Sequence, residues 1–294
     1  MKKNINLPEI GPDIYRSKNV EEIVLNHIET LSQNPSTENM LLKNKLQEYL
    51  FFISNKKMKN RARKTMSLLH ENAVKQHPDL SIETFARIKS FISTYNKCRI
   101  KLYSGKSLDS IKDIYACRTI IDSNDGKDSL KLVKKAYQIM DENIDYLISI
   151  GLIPCNAEKT KDTEEFNTSD YPNIIVPDKS YLSEKNKPFV KDYFLHPKKK
   201  GYQSLHVIFK DTYGNYFEYQ VRTYSMDVWA EYQDASHESF KLQQIKDIPE
   251  IKLEREKVNL SFYRTINNEV IADKSGFERS IQILFLKDLV EKHI

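Results

Sequence analysis

The sequence predicts an α+β protein in which a small β-sheet is surrounded by helices and both ends carry helical additions. Three observations lead there. Apolar residues recur at helical spacing through the first hundred positions, short β-rich runs break that rhythm in the centre, and helical spacing returns towards the end.

NVEEIVLNHIETL (19–31) and LLKNKLQEYLFFI (41–53) space their apolar residues at three and four, as amphipathic helices do. KKMKNRARK (56–64) has six basic residues and no acid, reading either as the solvated face of a helix running through Leu68 and Leu69 or as a patch for an anionic partner. A long helix is predicted from Ser81, as N-cap with Glu83 behind it, to about Tyr103. IYACRTIID (114–122) is apolar and β-rich and reads as a strand. LKLVKKAYQIMDENIDYLISI (130–150) returns to helix, and 151–187 is polar and aperiodic, an insertion longer than compact domains usually keep without a function. YQSLHVIF (202–209) and NYFEYQVRT (215–223) read as strands joined by a turn at DTYGN. A helix is predicted from about Ser225 to Lys241, and the remainder reads as two or three more helices. The expected division is 1–80 helical extension, 81–242 central domain, 243–294 helical extension.

Composition narrows the function classes. Lys+Arg number 46 against 41 Asp+Glu, a net +5 too small to imply nucleic acid by itself. Three widely spaced cysteines without a CxxC pair argue against a disulfide framework or a cysteine zinc site, and for a reducing cytoplasm. The N-terminus has no apolar signal core and no stretch approaches a membrane span, so a soluble intracellular protein is expected.

The hairpin carries the chemical signal. Alternation sends Phe217, Tyr219 and Val221 to one face and Glu218, Gln220 and Arg222 to the other, while Tyr202, Ser204 and His206 share a face of the preceding strand. Coincidence of the two polar faces would assemble a site; the alternative is a ladder of exposed cross-strand pairs. Asp113, at the mouth of the strand IYACRTII, would with Glu218 make a two-carboxylate site suited to Mg²⁺. Arg87, Lys89 and Lys97 are expected on one helical stretch, with Arg87 and Lys97 on nearly the same face, a grip for a triphosphate. SGKS (104–107) lacks the upstream glycine of a P-loop, and the seven histidines contain no HExxH.

The order R-x-K-S…K (Arg87, Lys89, Ser90, Lys97), D-I-x-A-x-R (Asp113 to Arg118), K-D-Y…P-K-x-x-G-Y-Q-S-L-H (Lys191 to His206), E-x-Q-x-R-T (Glu218 to Thr223) and M-x-x-W-A-E…H…K (Met226 to Lys241) closely resembles the synthetase domain of RelA/SpoT alarmone enzymes. The resemblance covers roughly 80–242 and is nearest the stand-alone small synthetases. It implies a nucleotidyltransferase-like fold with a mixed sheet, and transfer of the β,γ-pyrophosphate of ATP to the 3′-hydroxyl of GDP or GTP. By resemblance Arg87 would stack on adenine, Lys89, Ser90, Lys97 and Arg118 would serve ATP, and Asp113 would bind Mg²⁺. Glu218 would assist the metal and activate the acceptor hydroxyl, and Tyr202 would stack on the acceptor base. Lys191, Lys198, Lys200 and His206 would surround the acceptor, with Gln220 and Arg222 supporting the site. Two positions depart from the family pattern: Lys200 stands where asparagine is usual, and Lys191-Asp192 lacks the family's preceding arginine.

Some stand-alone relatives modify the 3′ end of tRNA or make adenosine alarmones, and Lys200 with the 56–64 patch would suit an RNA acceptor. A toxic enzyme of that kind would need a neutralising antitoxin, and either product a separate hydrolase. A catalytically silent nucleotide- or RNA-binding module is the reading from another class. The sequence leaves oligomeric state open, a homo-oligomer included.

Overall fold

The computed structural model describes residues 20–89, 91–123, 129–157, 174–198, 201–232, 262–266 and 269–273. Three N-terminal helices, α1 (Val20–Gln33), α2 (Thr37–Ser54) and α3 (Lys56–Gln76), precede the sheet. Ser36 caps α2 by accepting from the Asn39 backbone N–H at 3.0 Å.

The stretch expected as one helix from Ser81 to Tyr103 divides instead into a strand, β1 (Leu80–Ile88), and a helix, α4 (Phe91–Tyr103). The physical reason is pairing: β1 lies antiparallel to β2 (Tyr115–Ser123) along its whole length, from Leu80↔Ser123 to Ile88↔Tyr115. Alternation within it sends Thr84 and Ala86 beneath the sheet and matches Phe85 with Arg118. After β2 come α5 (Leu130–Ser149) and the short β3 (Ile153–Cys155) and β4 (Val190–Asp192). Part of the predicted polar insertion is therefore strand, since β3 pairs with β5 (Leu205–Lys210). The later part of the insertion is tied to α5, where Asp141 accepts from the Ser183 backbone N–H at 2.7 Å and from Asn186 Nδ2 at 3.0 Å.

The predicted hairpin is present as β5 and β6 (Tyr216–Thr223), turning at Asp211–Asn215 with Gly214 at φ +85°, where a side chain would be strained. β6 runs parallel to β2 and leads into α6 (Tyr224–Tyr232). Residues beyond 232 in the predicted helix to Lys241 lie outside the described set. The described C-terminal residues form a hairpin, β7 (Phe262–Ile266) and β8 (Glu269–Asp273), added beside β1. That corrects the expectation of helix there: an open strand edge at β1 supplies pairing that local spacing does not reveal. The eight-stranded mixed sheet has the order β3-β5-β6-β2-β1-β7-β8, with β4 also on β5. Among the described residues no helix is long and apolar enough to cross a membrane.

Helices α3 and α5 cover one sheet face. Met66 and Leu69 from α3, and Val133, Ala136 and Met140 from α5, pack on Cys117, Ile121, Val207, Tyr219 and Val221. A second core joins α1, α2 and α4 to Ile111 and Ile114 just before β2. Beneath the sheet a buried polar chain crosses the first core. Asn72 Nδ2 donates to Asn143 Oδ1 (2.8 Å), Asn143 Nδ2 to the Tyr219 hydroxyl (2.6 Å), and that hydroxyl to Thr119 Oγ1 (3.0 Å). Thr119 meets Thr84 at 3.3 Å. The chain bonds α3 and α5 to β6, β2 and β1, so slippage of any one strands a buried polar group.

Tyr219→Phe leaves Asn143 and Thr119 without their shared partner and is expected to destabilise by about 1–3 kcal/mol. Urea unfolding checks this, the midpoint falling while the slope is kept.

Candidate active site

The sheet face opposite α3 and α5 is polar because register aligns the alternating residues of three strands. Ile208 pairs with Glu218 and Glu218 with Ala116; His206 pairs with Gln220 and Gln220 with Arg118. Tyr202, His206, Glu218, Gln220 and Arg222 do come together, so the ladder of merely exposed pairs is not what forms. His206, Gln220 and Arg222 are all buried.

Glu218 receives a donor on each oxygen. His206 Nδ1 lies 2.9 Å from Oε1 and Gln220 Nε2 lies 2.6 Å from Oε2. The directions follow from the carboxylate, which can only accept, and agree with the partners further out. Arg222 can only donate, and its Nη2 meets both the Tyr202 hydroxyl and Gln220 Oε1. Ionised Glu218 only accepts, so the His206 proton lies on Nδ1, and Nε2 accepts from the Tyr202 hydroxyl at 2.9 Å. Gln220 Oε1 also accepts from Arg118 Nε at 3.2 Å, so its amide nitrogen must face Glu218. Burial holds the His206 imidazole down to about 4, against the pull of Glu218, so the ring is neutral near pH 7. Burial would raise the Glu218 carboxyl, but His206 overrides it and the group sits far below the usual carboxylate range.

Asp227 stands behind these residues. Carried on α6, whose first turn is fastened by the Met226 N–H donating to Thr223 Oγ1 at 3.3 Å, it accepts from Arg118 Nη1 at 2.7 Å and from Arg222 Nη1 at 3.3 Å. Sequence reasoning did not single it out. A lone aspartate inside the M-x-x-W stretch carries no pattern, and its partners come from two strands.

A second cluster forms where β1 ends. The Lys89 backbone N–H donates to Ile114 O at 2.7 Å, which sets the lysine beside Asp113. Lys89 Nζ and Lys97 Nζ donate to Asp113 Oδ2 at 2.6 and 2.7 Å. Burial would raise the Asp113 carboxyl; the two ammonium groups outweigh it and hold the group well below the usual range. The helical row expected for Arg87 and Lys97 does not exist, since Arg87 is on β1 and Lys97 on α4, yet Lys89, one residue beyond β1, and Lys97 converge on Asp113. Arg87 stands in register with Ala116, which pairs in turn with Glu218. Arg118, expected with the ATP residues, is turned to Gln220 and Asp227. Ser90 and Lys200 lie outside the described residues.

Lys191, in register with His206, lines a small cleft over the polar face together with Lys112, Cys155, His206 and Glu218. Lys112 and Cys155 were not singled out from the sequence either. Lys198 Nζ sits 4.1 Å from the Tyr193 ring centroid and 5.4 Å from that of Tyr202. Its backbone bridges to Tyr202 around Gly201, at φ +74°, a conformation that favours glycine. Part of the 56–64 patch also has a place: Arg61 Nη1 donates to Asp211 Oδ2 at 2.7 Å and its guanidinium lies 4.4 Å from the Tyr213 ring centroid, fastening α3 to the β5–β6 turn. Lys56, Lys57 and Lys64 are exposed.

The donor set fits a hard divalent cation. Asp113 Oδ1 is enclosed without a hydrogen-bond partner, and the Asp113 charge is near enough to act on Glu218. Mg²⁺ is usually held by one or two carboxylates, the rest of its shell being water and phosphate oxygen. Among the described residues no group of three or more His, Cys, Asp or Glu is assembled, so the pair Asp113 and Glu218 is what the face offers.

One face of the mixed sheet thus carries two carboxylates, two converging ammonium groups and a guanidinium-backed polar row. Residues 86–245 match the family described as "Region found in RelA / SpoT proteins", and the chain belongs to that family. A protein named "Probable GTP diphosphokinase RSH2, chloroplastic", from Oryza sativa subsp. japonica, is 47% identical over 51 residues. That match takes in 17% of this chain and spans 7% of the rice protein's length. A crystal structure of small alarmone synthetase 1 from Bacillus subtilis bound to its product pppGpp is 15% identical, with TM-score 0.35, covering 64% of this chain and 84% of that one. A second structure of that synthetase gives 16% identity and TM-score 0.32 over 64% and 83%.

The depressed Asp113 carboxyl has a consequence for stability. Its contribution is present above the unfolded value, about 3.8, and is lost as pH falls through that value towards the lower folded one. Asp113→Asn is expected to flatten the acid limb of stability, checked by urea unfolding midpoints from neutral pH to about pH 3.

Proposed function

We propose that the chain is a pyrophosphokinase that transfers the β,γ-pyrophosphate of ATP to the 3′-hydroxyl of GDP or GTP, yielding (p)ppGpp and AMP. The observation that carries this reading is Glu218, hydrogen-bonded on both oxygens, beside the cluster of Asp113, Lys89 and Lys97. Membership in the RelA/SpoT family supports it.

On this reading Lys89 and Lys97 exchange Asp113 for the donor phosphates, and Arg87, near the end of β1, would serve the adenine. Asp113 and Glu218 would hold Mg²⁺, which when bound neutralises phosphate charge. Lys191 and Lys198 face the acceptor's phosphates, and Tyr202 and Tyr193 offer rings for its base. The 3′-oxygen forms a bond to the β-phosphorus while the bond from that phosphorus to the α-phosphate oxygen breaks, and the hydroxyl proton passes to Glu218. Glu218, ionised and hydrogen-bonded on both oxygens, is a weak base. A loose transition state asks little of one, because the hydroxyl is deprotonated late and catalysis rests on position and charge. The free thiols Cys98, Cys117 and Cys155 agree with a cytoplasmic setting.

A second reading keeps the donor chemistry and changes the acceptor to the 3′ end of tRNA. The exposed Lys56, Lys57 and Lys64 on α3 favour it. A toxin of that kind would act alongside an antitoxin.

The test is purified protein with Mg²⁺ and γ-labelled ATP, offered GDP, GTP and deacylated tRNA in parallel. Label in GDP or GTP, abolished by Asp113→Ala and by Glu218→Ala, is the expected result. Label only in tRNA selects the second reading, and full activity in either variant refutes the site. Lys200→Asn is expected to change acceptor preference more than ATP use.

A further inference from the structure

Lys112 stands immediately before Asp113, but the two side chains go to different partners. Asp113 is taken by Lys89 and Lys97, whereas Lys112 Nζ lies 5.0 Å from the Tyr216 ring centroid. Tyr216 and Glu218 are two residues apart on β6, so they share the polar face with Cα atoms about 7 Å apart along the strand. The Lys112 ammonium is thus held on that face near Glu218, and the residue lines the same cleft as Lys191, Cys155, His206 and Glu218. Its backbone is fixed from both sides, because Ile111 just before it and Ile114 two residues after it are buried.

Positive charge is in excess here. Glu218 is the one carboxylate lining the cleft, and it already receives His206 and Gln220. Lys89 and Lys97 are neutralised by Asp113, but Lys112 and Lys191 have no carboxylate partner among the described residues. Lys210 Nζ, 5.6 Å from the same Tyr216 ring, adds a further positive charge at this end. Two half-exposed ammonium groups without a carboxylate, on the wall of one cleft, favour an anion. The ring contact of Lys112 does not stand in the way, because a charged hydrogen bond to phosphate is the stronger interaction.

We propose that Lys112, together with Lys191, binds the terminal phosphate of the acceptor's 5′-phosphate chain, and that the pair selects a free nucleoside diphosphate or triphosphate over the 3′ end of an RNA. A terminal phosphate carries close to two negative charges near neutral pH, whereas each phosphate inside a polynucleotide is a diester carrying one. Two ammonium groups match the first and over-supply the second. With the 3′-hydroxyl at Glu218, the phosphates leave from the 5′ side of the ribose and extend along the cleft. That the bound nucleotide is an acceptor rests on the function proposed above; the anion site does not.

Cys155 supplies the readout. Of the chain's three cysteines Cys98 and Cys117 are buried, and half-exposed Cys155 lines this cleft. The test is the rate of Cys155 alkylation by iodoacetamide, an uncharged reagent, followed by peptide mass spectrometry without ATP. GDP is expected to slow the reaction. Lys112→Ala is expected to raise the GDP concentration for half-protection about tenfold, and Lys112→Arg, which keeps the charge, by no more than about threefold. Guanosine, which lacks phosphate, and an oligoribonucleotide with a free 3′-hydroxyl, whose phosphates are all diesters, are expected not to separate Lys112→Ala from the unaltered protein. In the transfer assay KM for GDP rises about tenfold in Lys112→Ala while KM for ATP stays within about twofold. Should Lys112→Ala not fold, Lys112→Gln decides. GDP that protects the folded variant as well as the unaltered protein, or protects neither, overturns the proposal. So does an oligoribonucleotide that protects better than GDP and loses that protection with Lys112. Protection by GDP that is lost with Lys112, in a protein that transfers nothing, upholds the anion site and refutes the proposed reaction instead.

Discussion

A carboxylate pinned from both sides is the constraint around which this structure is organised. Glu218 needs a donor at Oε1 and another at Oε2, and neither comes from its own neighbours in sequence alone: one is on β5 and the other two residues along β6. Behind those donors Arg118 on β2 and Arg222 on β6 both donate to Gln220 Oε1 and to Asp227 on α6. Three strands must therefore keep one register and α6 must begin immediately after β6. A shift of a single residue would turn every one of these side chains to the opposite face.

Register is held from below. The chain from Asn72 and Asn143 through Tyr219 and Thr119 to Thr84 crosses from the covering helices to β6, β2 and β1, the first two of which also carry the site. Tyr219 is the neighbour of both Glu218 and Gln220, so the residue that keys β6 into the core lies between two that serve the site. Polar satisfaction on the buried face and polar alignment on the open face are one condition. The apolar packing of α3 and α5 supplies the bulk of the burial, but non-directional contacts would not by themselves choose the register.

Much of the site was legible because it lies on β5 and β6, where alternation alone separates Phe217, Tyr219 and Val221 from Glu218, Gln220 and Arg222. β1 was not. LSIETFARI places Leu80, Ile82, Phe85 and Ile88 at spacings a helix also uses, and it runs almost directly into α4, so local pattern favoured one long helix. Pairing with β2 decided otherwise. The β7–β8 hairpin was hidden for the same reason, its identity depending on the edge it meets. Lys89 and Lys97 were identified as partners from the wrong geometry: they meet because Lys89, just past the end of β1, and Lys97, within α4, both reach Asp113. Asp227 was invisible because its role exists only where α6 crosses the arginines of two strands.

The account holds that Asp113 and Glu218, with Lys89 and Lys97 between phosphate and protein, form one site for a divalent cation and a nucleotide triphosphate. Electron paramagnetic resonance of Mn²⁺, as a stand-in for Mg²⁺, titrated with a non-hydrolysable ATP analogue tests it most directly. The account predicts that the protein and analogue together immobilise the ion, that Asp113→Asn abolishes this, and that Glu218→Gln weakens it. Ion binding undiminished in folded Asp113→Asn would contradict it.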